Sequence, residues 1–290
     1  MNITHTISVI GGDSRQLYAA EHFINMGYKT KLFNCELENI TDKKNYCKNL
    51  GEAMESEIIL LPLPVTKNNK IINAPLSDEN ISLNTLTGFL EEKHKVFLGM
   101  APGAVFRQIK GSAGFVYDYF TDESLIYKNA LLTAEGLISI ITNKIPLTIN
   151  GLKIAVTGYG RIAGCTAQML KSLNAEVFIF ARNKLQITKA NLAGLKAYNI
   201  ETMKNHIDKF DCLINTVPHR IISKELLEKT KKDCLIIEAA SAPYGIDSEA
   251  CNSLQKNFIK AFSLPGKTSP KSAGIIIAET VNEIIKEELK

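Results

Sequence analysis

The stretch LKIAVTGYGRIAGCTAQML, Leu152 to Leu170, constrains the fold more than any other part of the chain. Its apolar run fits a strand buried on both faces. The run breaks at Gly158 and Gly160 and passes directly into a segment with apolar residues at helical spacing. Strand, glycine turn and helix in succession predict a βαβ unit, because parallel strands need a long crossover between them. Gly158 suits the tight turn, and Gly160 lets backbone approach a pyrophosphate. Ala163 or Gly164 lets the helix lie close to the sheet. The G-x-G-x-x-x-G spacing is one residue longer at its end than the usual dinucleotide pattern, and Ala163 fills the usual third site. The helix start, with Tyr159, Arg161 and Ile162, offers N–H groups to phosphate. The plain alternative is a bare strand–helix turn. The strand EVFIFAR that follows the helix favours a cofactor instead.

The end of that following strand bears on which cofactor. An NAD site usually carries Asp or Glu there for the ribose hydroxyls. This chain has Ala181, Arg182, Asn183 and Lys184. Arg182 can pair with a 2′-phosphate that a carboxylate would repel, so NADP is expected over NAD. Alternatively Arg182 is an exposed strand-end charge. Thr216, Val217 and Pro218, in NTVPH, and Ser241 and Ala242, in EAASAPYG, end further strands and are expected beside the nicotinamide, since ligands sit at strand carboxyl ends. Either loop could equally be structural.

Strand-like and helical segments alternate along the whole chain. ISVIGG, KTKLFN, SEIILLPLP and KHKVFLGMA form one series. LKIAVTG, EVFIFAR, FDCLINTV, CLIIEAA and FIKAFS form another. This predicts an α/β protein of two domains, a Rossmann-type doubly wound parallel sheet plus an N-terminal α/β, flavodoxin-like domain. The boundaries expected are 1–128 for the first, with 272–290 returning to it as a helix, and 129–271 for the cofactor domain. A helix over Asp122 to Lys144, interrupted at TAEG, joins the two. The first turn, GGDSRQ, lacks a third glycine at dinucleotide spacing. Gly11 and Gly12 open a small anion-friendly pocket, and Arg15 adds a cation, so the turn suits a carboxylate substrate. The alternative is that Asp13 caps the helix and Arg15 lies on the surface.

Composition excludes some classes. The 290 residues are 45% hydrophobic and 22% charged, with a net charge of +4, too mild to argue for nucleic acid. The N-terminus lacks the pattern of a signal peptide, and no apolar run approaches a membrane span, so a cytoplasmic protein is expected. The six cysteines form no C-x-x-C pair and read as buried free thiols. The histidines lack metal-ligand spacing, and no metal is expected.

VIGGDSRQL, TAEGLI, INGLKIAVTGYGRIA, LINTVP and LPGKTSPKSAG, in this order over nearly the whole chain, resemble the A subunit of dipicolinate synthase. That resemblance implies dipicolinic acid synthesis in the mother cell of a sporulating bacterium. It also implies a pyridine nucleotide, a small dicarboxylate from the lysine branch and the B subunit of dipicolinate synthase as partner; a homo-oligomer is expected besides. A dihydrodipicolinate-type diacid would be oxidised to the aromatic pyridine. Its two carboxylates need cations: Arg15 and Lys271 flank turns expected to meet in an interdomain cleft, with Lys267 and Arg107 as further candidates and Ser269 as a further substrate-binding residue. Glu135 and Asp13 are candidate bases, and Asp13 could instead hold Arg15. Wider relatives are the two-domain 2-hydroxyacid dehydrogenases, but no Arg, Glu and His set of that chemistry is evident, and His219 has no carboxylate partner set by spacing. Two other readings stay open: an NADP-dependent dehydrogenase of another small cyclic, shikimate-like acid, and a non-catalytic NADP-binding protein that serves another chain.

Overall fold

Five short β-type runs in the first part of the chain form one parallel sheet: β1 (Thr6–Ile10), β2 (Lys29–Phe33), β3 (Ile58–Leu60), β4 (Lys95–Leu98) and β5 (Phe115–Asp118). Their order, β2-β1-β3-β4-β5, is the flavodoxin-like one. Helices α1 (Ser14–Asn25), α2 (Leu50–Ala53), α3 (Leu83–Gly88) and α4 (Gly103–Lys110) supply the crossovers. Alternation along β1 sorts its side chains to two faces. Ile7 and Val9 pack with Leu17, Ala20 and Phe23 of α1. Ile10 packs with Ile59, Val96 and Leu98 and with Val105 and Ile109 of α4. The computed structural model describes residues 5–36 and 43–288. Residues 1–4 of the opening segment and 289–290 of the closing helix lie outside the described residues.

The α5 helix (Glu123–Lys144) runs on without the interruption expected at TAEG. Gly136 is buried within it, and Ala134 and Leu137 on either side are fully buried, so packing overrides the glycine's poor helix propensity. By length and composition α5 could cross a membrane, with a mean hydropathy of 1.2 over its best window. That corrects the expectation that no segment approaches such a span. Its apolar residues Leu137 and Ile141 are core residues here.

A second parallel sheet holds β6 (Lys153–Thr157), β7 (Glu176–Ala181), β8 (Lys196–Asn199), β9 (Cys212–Asn215), β10 (Leu235–Glu238) and β11 (Asn257–Lys260). Its order, β11-β10-β9-β6-β7-β8, is that of a dinucleotide-binding fold, with the topological switch between β6 and β9. α6 (Arg161–Ser172) and α5 cover one face, and α7 (Lys184–Leu192) follows β7. α8 (Lys224–Glu228) and α9 (Ser248–Ser253) contribute Leu227, Ala250 and Cys251 to the other face. The edge strands β5 and β8 were not expected from the sequence.

The chain closes with α10 (Leu264–Thr268) and α11 (Pro270–Glu288). Ile277, Ala278, Val281 and Ile285 of α11 join the core around α1, and Tyr28 donates to Asn282 Oδ1 at 2.9 Å. One compact unit comprises residues 1–129 with 265–290, and the other residues 130–264. Residues 265–271, expected with the cofactor domain, therefore lie with the first unit.

Candidate functional site

In the second unit the glycine turn opens at the end of β6. Gly158 has φ of +79°, a left-handed conformation that strains other residues. A Cβ there would also stand 2.9 Å from Val217 Cγ2 and 3.1 Å from Thr216 Oγ1. The NTVP loop therefore crosses directly over this glycine. Gly160 is the N-cap of α6, makes no side-chain cap, and a Cβ on it would meet nothing within 4 Å. That open space at a helix start, with the positive end of the helix dipole behind it, is what a pyrophosphate needs. Ala163 is fully buried in the core beneath α6, whereas a Cβ on Gly164 would meet nothing within 4 Å. The close-packing role thus belongs to Ala163 and not to Gly164. Tyr159 and Ile162 are half-buried against the same core, and Arg161 is exposed.

At the end of β7, Ala181 is buried and Arg182 and Lys184 are exposed. Asn183, expected at the cofactor, is the N-cap of α7: its Oδ1 accepts from the Leu185 N–H at 2.8 Å. Thr216 and Val217 are half-buried beside the turn, while Pro218, His219, Ser241 and Ala242 are exposed. Thr216 Oγ1 donates to the Thr157 carbonyl at 2.7 Å, which joins the NTVP loop to the last residue of β6.

A buried polar network that no sequence motif announced ties these strand ends together. Thr157 Oγ1 donates to Asn215 Oδ1 at 2.5 Å, and Asn215 Nδ2 donates to Glu238 Oε1 at 2.6 Å. All three residues are buried. Its one trace in the sequence is a carboxylate ending the apolar run CLII in CLIIE, since a charge at such a position is almost never buried without partners.

In the first unit, Gly11 and Gly12 have φ of +67° and +98°. Their N–H groups donate to the carbonyls of Phe33 and Asn73, each at 2.8 Å. The expected backbone anion pocket is corrected accordingly, because these two donors are already spent within the fold. Asp13 caps α1 in a capping box with Gln16. Arg15 is 6% exposed, not a surface residue. Its Nε donates to Asp13 Oδ1 at 2.9 Å, and its Nη2 donates to Asp13 Oδ2 at 2.8 Å and to the Leu63 carbonyl. Tyr119, fully buried, donates to the Leu61 carbonyl at 3.1 Å. Burial raises its phenol pKa, and the Arg15 charge partly opposes that rise.

The GKTSPK segment does meet this turn. A Cβ on Gly266 would stand 3.1 Å from Arg15 Nε and 3.3 Å from Asp13 Oδ2, so Lys267, exposed, and Ser269, half-buried, follow directly from the Asp13–Arg15 pair. Lys271 is turned elsewhere: its Nζ lies 3.9 Å from Glu21 Oε2 and 5.8 Å from the Tyr18 ring centroid. Arg107 is exposed in the last turn of α4. Of the two candidate bases, Asp13 has both oxygens engaged by Arg15, and Glu135 is exposed on α5. Among the described residues no group of three or more His, Cys, Asp or Glu is arranged to hold a metal.

Residues 6–120 match the N-terminal domain of the dipicolinate synthase A subunit. Residues 133–264 match the NAD binding domain of D-isomer specific 2-hydroxyacid dehydrogenases. The second unit is therefore a nicotinamide dinucleotide domain of an oxidoreductase, which agrees with the glycine turn. The chain is 28% identical to the A subunit of dipicolinate synthase from Bacillus subtilis (strain 168), over 97% of this chain and 96% of that one. Among solved structures, the dipicolinate synthase A subunit of Bacillus subtilis is similar with a TM-score of 0.85, at 24% identity over 99% of this chain and 97% of that one. The dipicolinate synthase A subunit of Bacillus halodurans is similar with a TM-score of 0.83, at 22% identity over 98% of this chain and 99% of the other.

Proposed function

This chain is similar from end to end to the A subunit of dipicolinate synthase, and from that premise we propose that it oxidises a dihydrodipicolinate-type diacid to dipicolinate with NADP. The observation that carries the reading is the 97% coverage of the chain by that one relative. NADP is preferred over NAD because Arg182 stands at the end of β7 with no carboxylate beside it.

A nicotinamide held there would supply the hydride acceptor, and the dihydropyridine ring would lose a hydride and a proton as it becomes aromatic. Because aromaticity drives the reaction, the protein's task is mostly to position the reactants. Gly158, Gly160 and the start of α6 take the pyrophosphate. Arg182 takes the 2′-phosphate. Thr216, Val217, Pro218 and Ser241 line the nicotinamide end. For the diacid we assign the first-unit segment at Gly266, which carries Lys267 and Ser269 and adjoins the Asp13–Arg15 pair, with Asp13 holding Arg15 in place. Lys271, engaged with Glu21 and Tyr18, ranks behind Lys267. A partner of the B type, assembly with further copies of this chain and a cytoplasmic setting in a sporulating cell complete the reading.

The test is absorbance at 340 nm with NADP and freshly made dihydrodipicolinate precursor, with the chain alone and with the B subunit of dipicolinate synthase added. A rise that depends on both chain and diacid is expected. No rise in either arm, with cofactor bound, would leave a non-catalytic cofactor-binding protein. Turnover of an alicyclic acid in its place would reassign the substrate.

A further inference from the structure

We propose that Glu238 is a positioning residue for the nicotinamide half of the cofactor, acting through Asn215 and the loops that follow β9 and β10. The proposal rests on the second unit holding a nicotinamide dinucleotide. Glu238 closes β10 and is 1% exposed. Its Oε1 accepts from Asn215 Nδ2 at 2.6 Å and from the Ala240 N–H at 3.0 Å. Its Oε2 accepts from the N–H groups of Gly245 and Ile246, each at 2.8 Å. All of these donors are neutral. Burying a carboxylate without a cation is costly, and convergent N–H donors are what make it tolerable. The acceptor-only character of the carboxylate matters here, because both oxygens face donors alone.

Asn215 passes the constraint to the loop after β9 and to the last residue of β6. Its Oδ1 accepts from Thr157 Oγ1 at 2.5 Å and from the Val217 N–H at 3.2 Å, and its Nδ2 also donates to the Val217 carbonyl at 3.0 Å. Thr157 immediately precedes Gly158. The loop after β10 is pressed onto this arrangement at Gly245, where a Cβ would strike Asn215 Nδ2 and stand 2.6 Å from the Val217 carbonyl oxygen. One buried network therefore sets the carboxyl ends of β6, β9 and β10. In a sheet of this order the second mononucleotide of a dinucleotide lies over β9 and β10, while the adenosine half lies over β6 and β7. No residue of the network belongs to β7 or to the Arg182 turn.

The expected signature is a loss confined to the nicotinamide end. In the full-length chain, dissociation constants are measured for NADP and for 2′-phospho-ADP-ribose, which lacks the nicotinamide ring, with NAD and ADP-ribose as the parallel pair. Wild type, Glu238→Gln and Thr157→Val are compared. In Glu238→Gln an NH2 group must face an N–H donor, which releases one of the loops. NADP binding then weakens roughly ten- to a hundredfold, while the ring-less fragment binds as in wild type. Thr157→Val, close in shape and free of charge change, shows the same selective loss at smaller size and serves if Glu238→Gln does not fold. Equal losses for both ligands, or none for either, overturn the proposal. Failure of wild type to bind either dinucleotide overturns the cofactor reading on which it rests.

Discussion

Arg182 is an exposed cation directly after β7, and the proposed preference for NADP over NAD rests on it. Arg182→Ala is expected to weaken NADP by roughly 1.5–3 kcal/mol, the worth of a charged hydrogen-bonded pair, and to leave NAD nearly unchanged. Dissociation constants for both oxidised cofactors check this, and equal wild-type affinities would sink the preference. The thiols make a separate prediction. Burial pushes the pKa of Cys35 and Cys234 from the ordinary 9.0 up to about 12. In the unfolded chain they ionise near 9, so their contribution is intact below that pH. It is then lost as pH rises toward about 12, at about 1.4 kcal/mol per pH unit per thiol. Urea midpoints at several pH values between 8 and 11 should fall above 9, less steeply in Cys234→Ala; an identical slope in that variant would refute the assignment.

Two helical glycines separate packing from propensity at the scale of elements. Gly274 of α11 lies against α1: a Cβ there would meet the Arg15 carbonyl and stand 2.7 Å from Tyr18 Cβ and 2.8 Å from the Ala19 nitrogen. Gly274→Ala must push α11 from α1 and is expected to cost about 1–3 kcal/mol. Gly164 in α6 has open space around it. Gly164→Ala is expected to stabilise the cofactor-free protein by about 0.5–1 kcal/mol, since alanine loses less entropy in a helix. Denaturant unfolding of both variants distinguishes the two effects by sign. The same opposition explains why α5 runs unbroken through Gly136, where the sequence pattern suggested a stop.

At the scale of the whole chain, the two units carry separate hydrophobic cores and different glycine turns. The turn at Gly158 faces open space at Gly160, whereas Gly11 and Gly12 spend their N–H groups on Phe33 and Asn73. A dinucleotide should therefore act on the second unit. At about 100 times its dissociation constant it should add about 2.7 kcal/mol to the stability of the state that binds it. Hydrogen exchange should slow at β6, β9 and the start of α6. Slowing centred on β1 and α1 would reverse the assignment of the two turns.

What lay in the sequence was what neighbouring residues decide among themselves. Apolar runs of strand length, helical spacing after Gly158, the capping residue Asp13 and the cation after β7 are local signals, and together they were enough for two α/β units and a dinucleotide turn. Two of the four edge strands were illegible because they are half wet: FVYD of β5 and KAYN of β8 lack the continuous apolar run of a strand buried on both faces. Residue roles that depend on distant partners were equally hidden. Arg15 became a buried tether only because the Leu63 carbonyl, 48 positions away, folds onto it. Glu238 is satisfied only because Asn215, 23 positions earlier, and the returning loop at Gly245 bring donors to it. The backbone's local preferences select strands and helices, but a buried charge finds its partners only where loops converge, and that convergence is a property of the folded sheet.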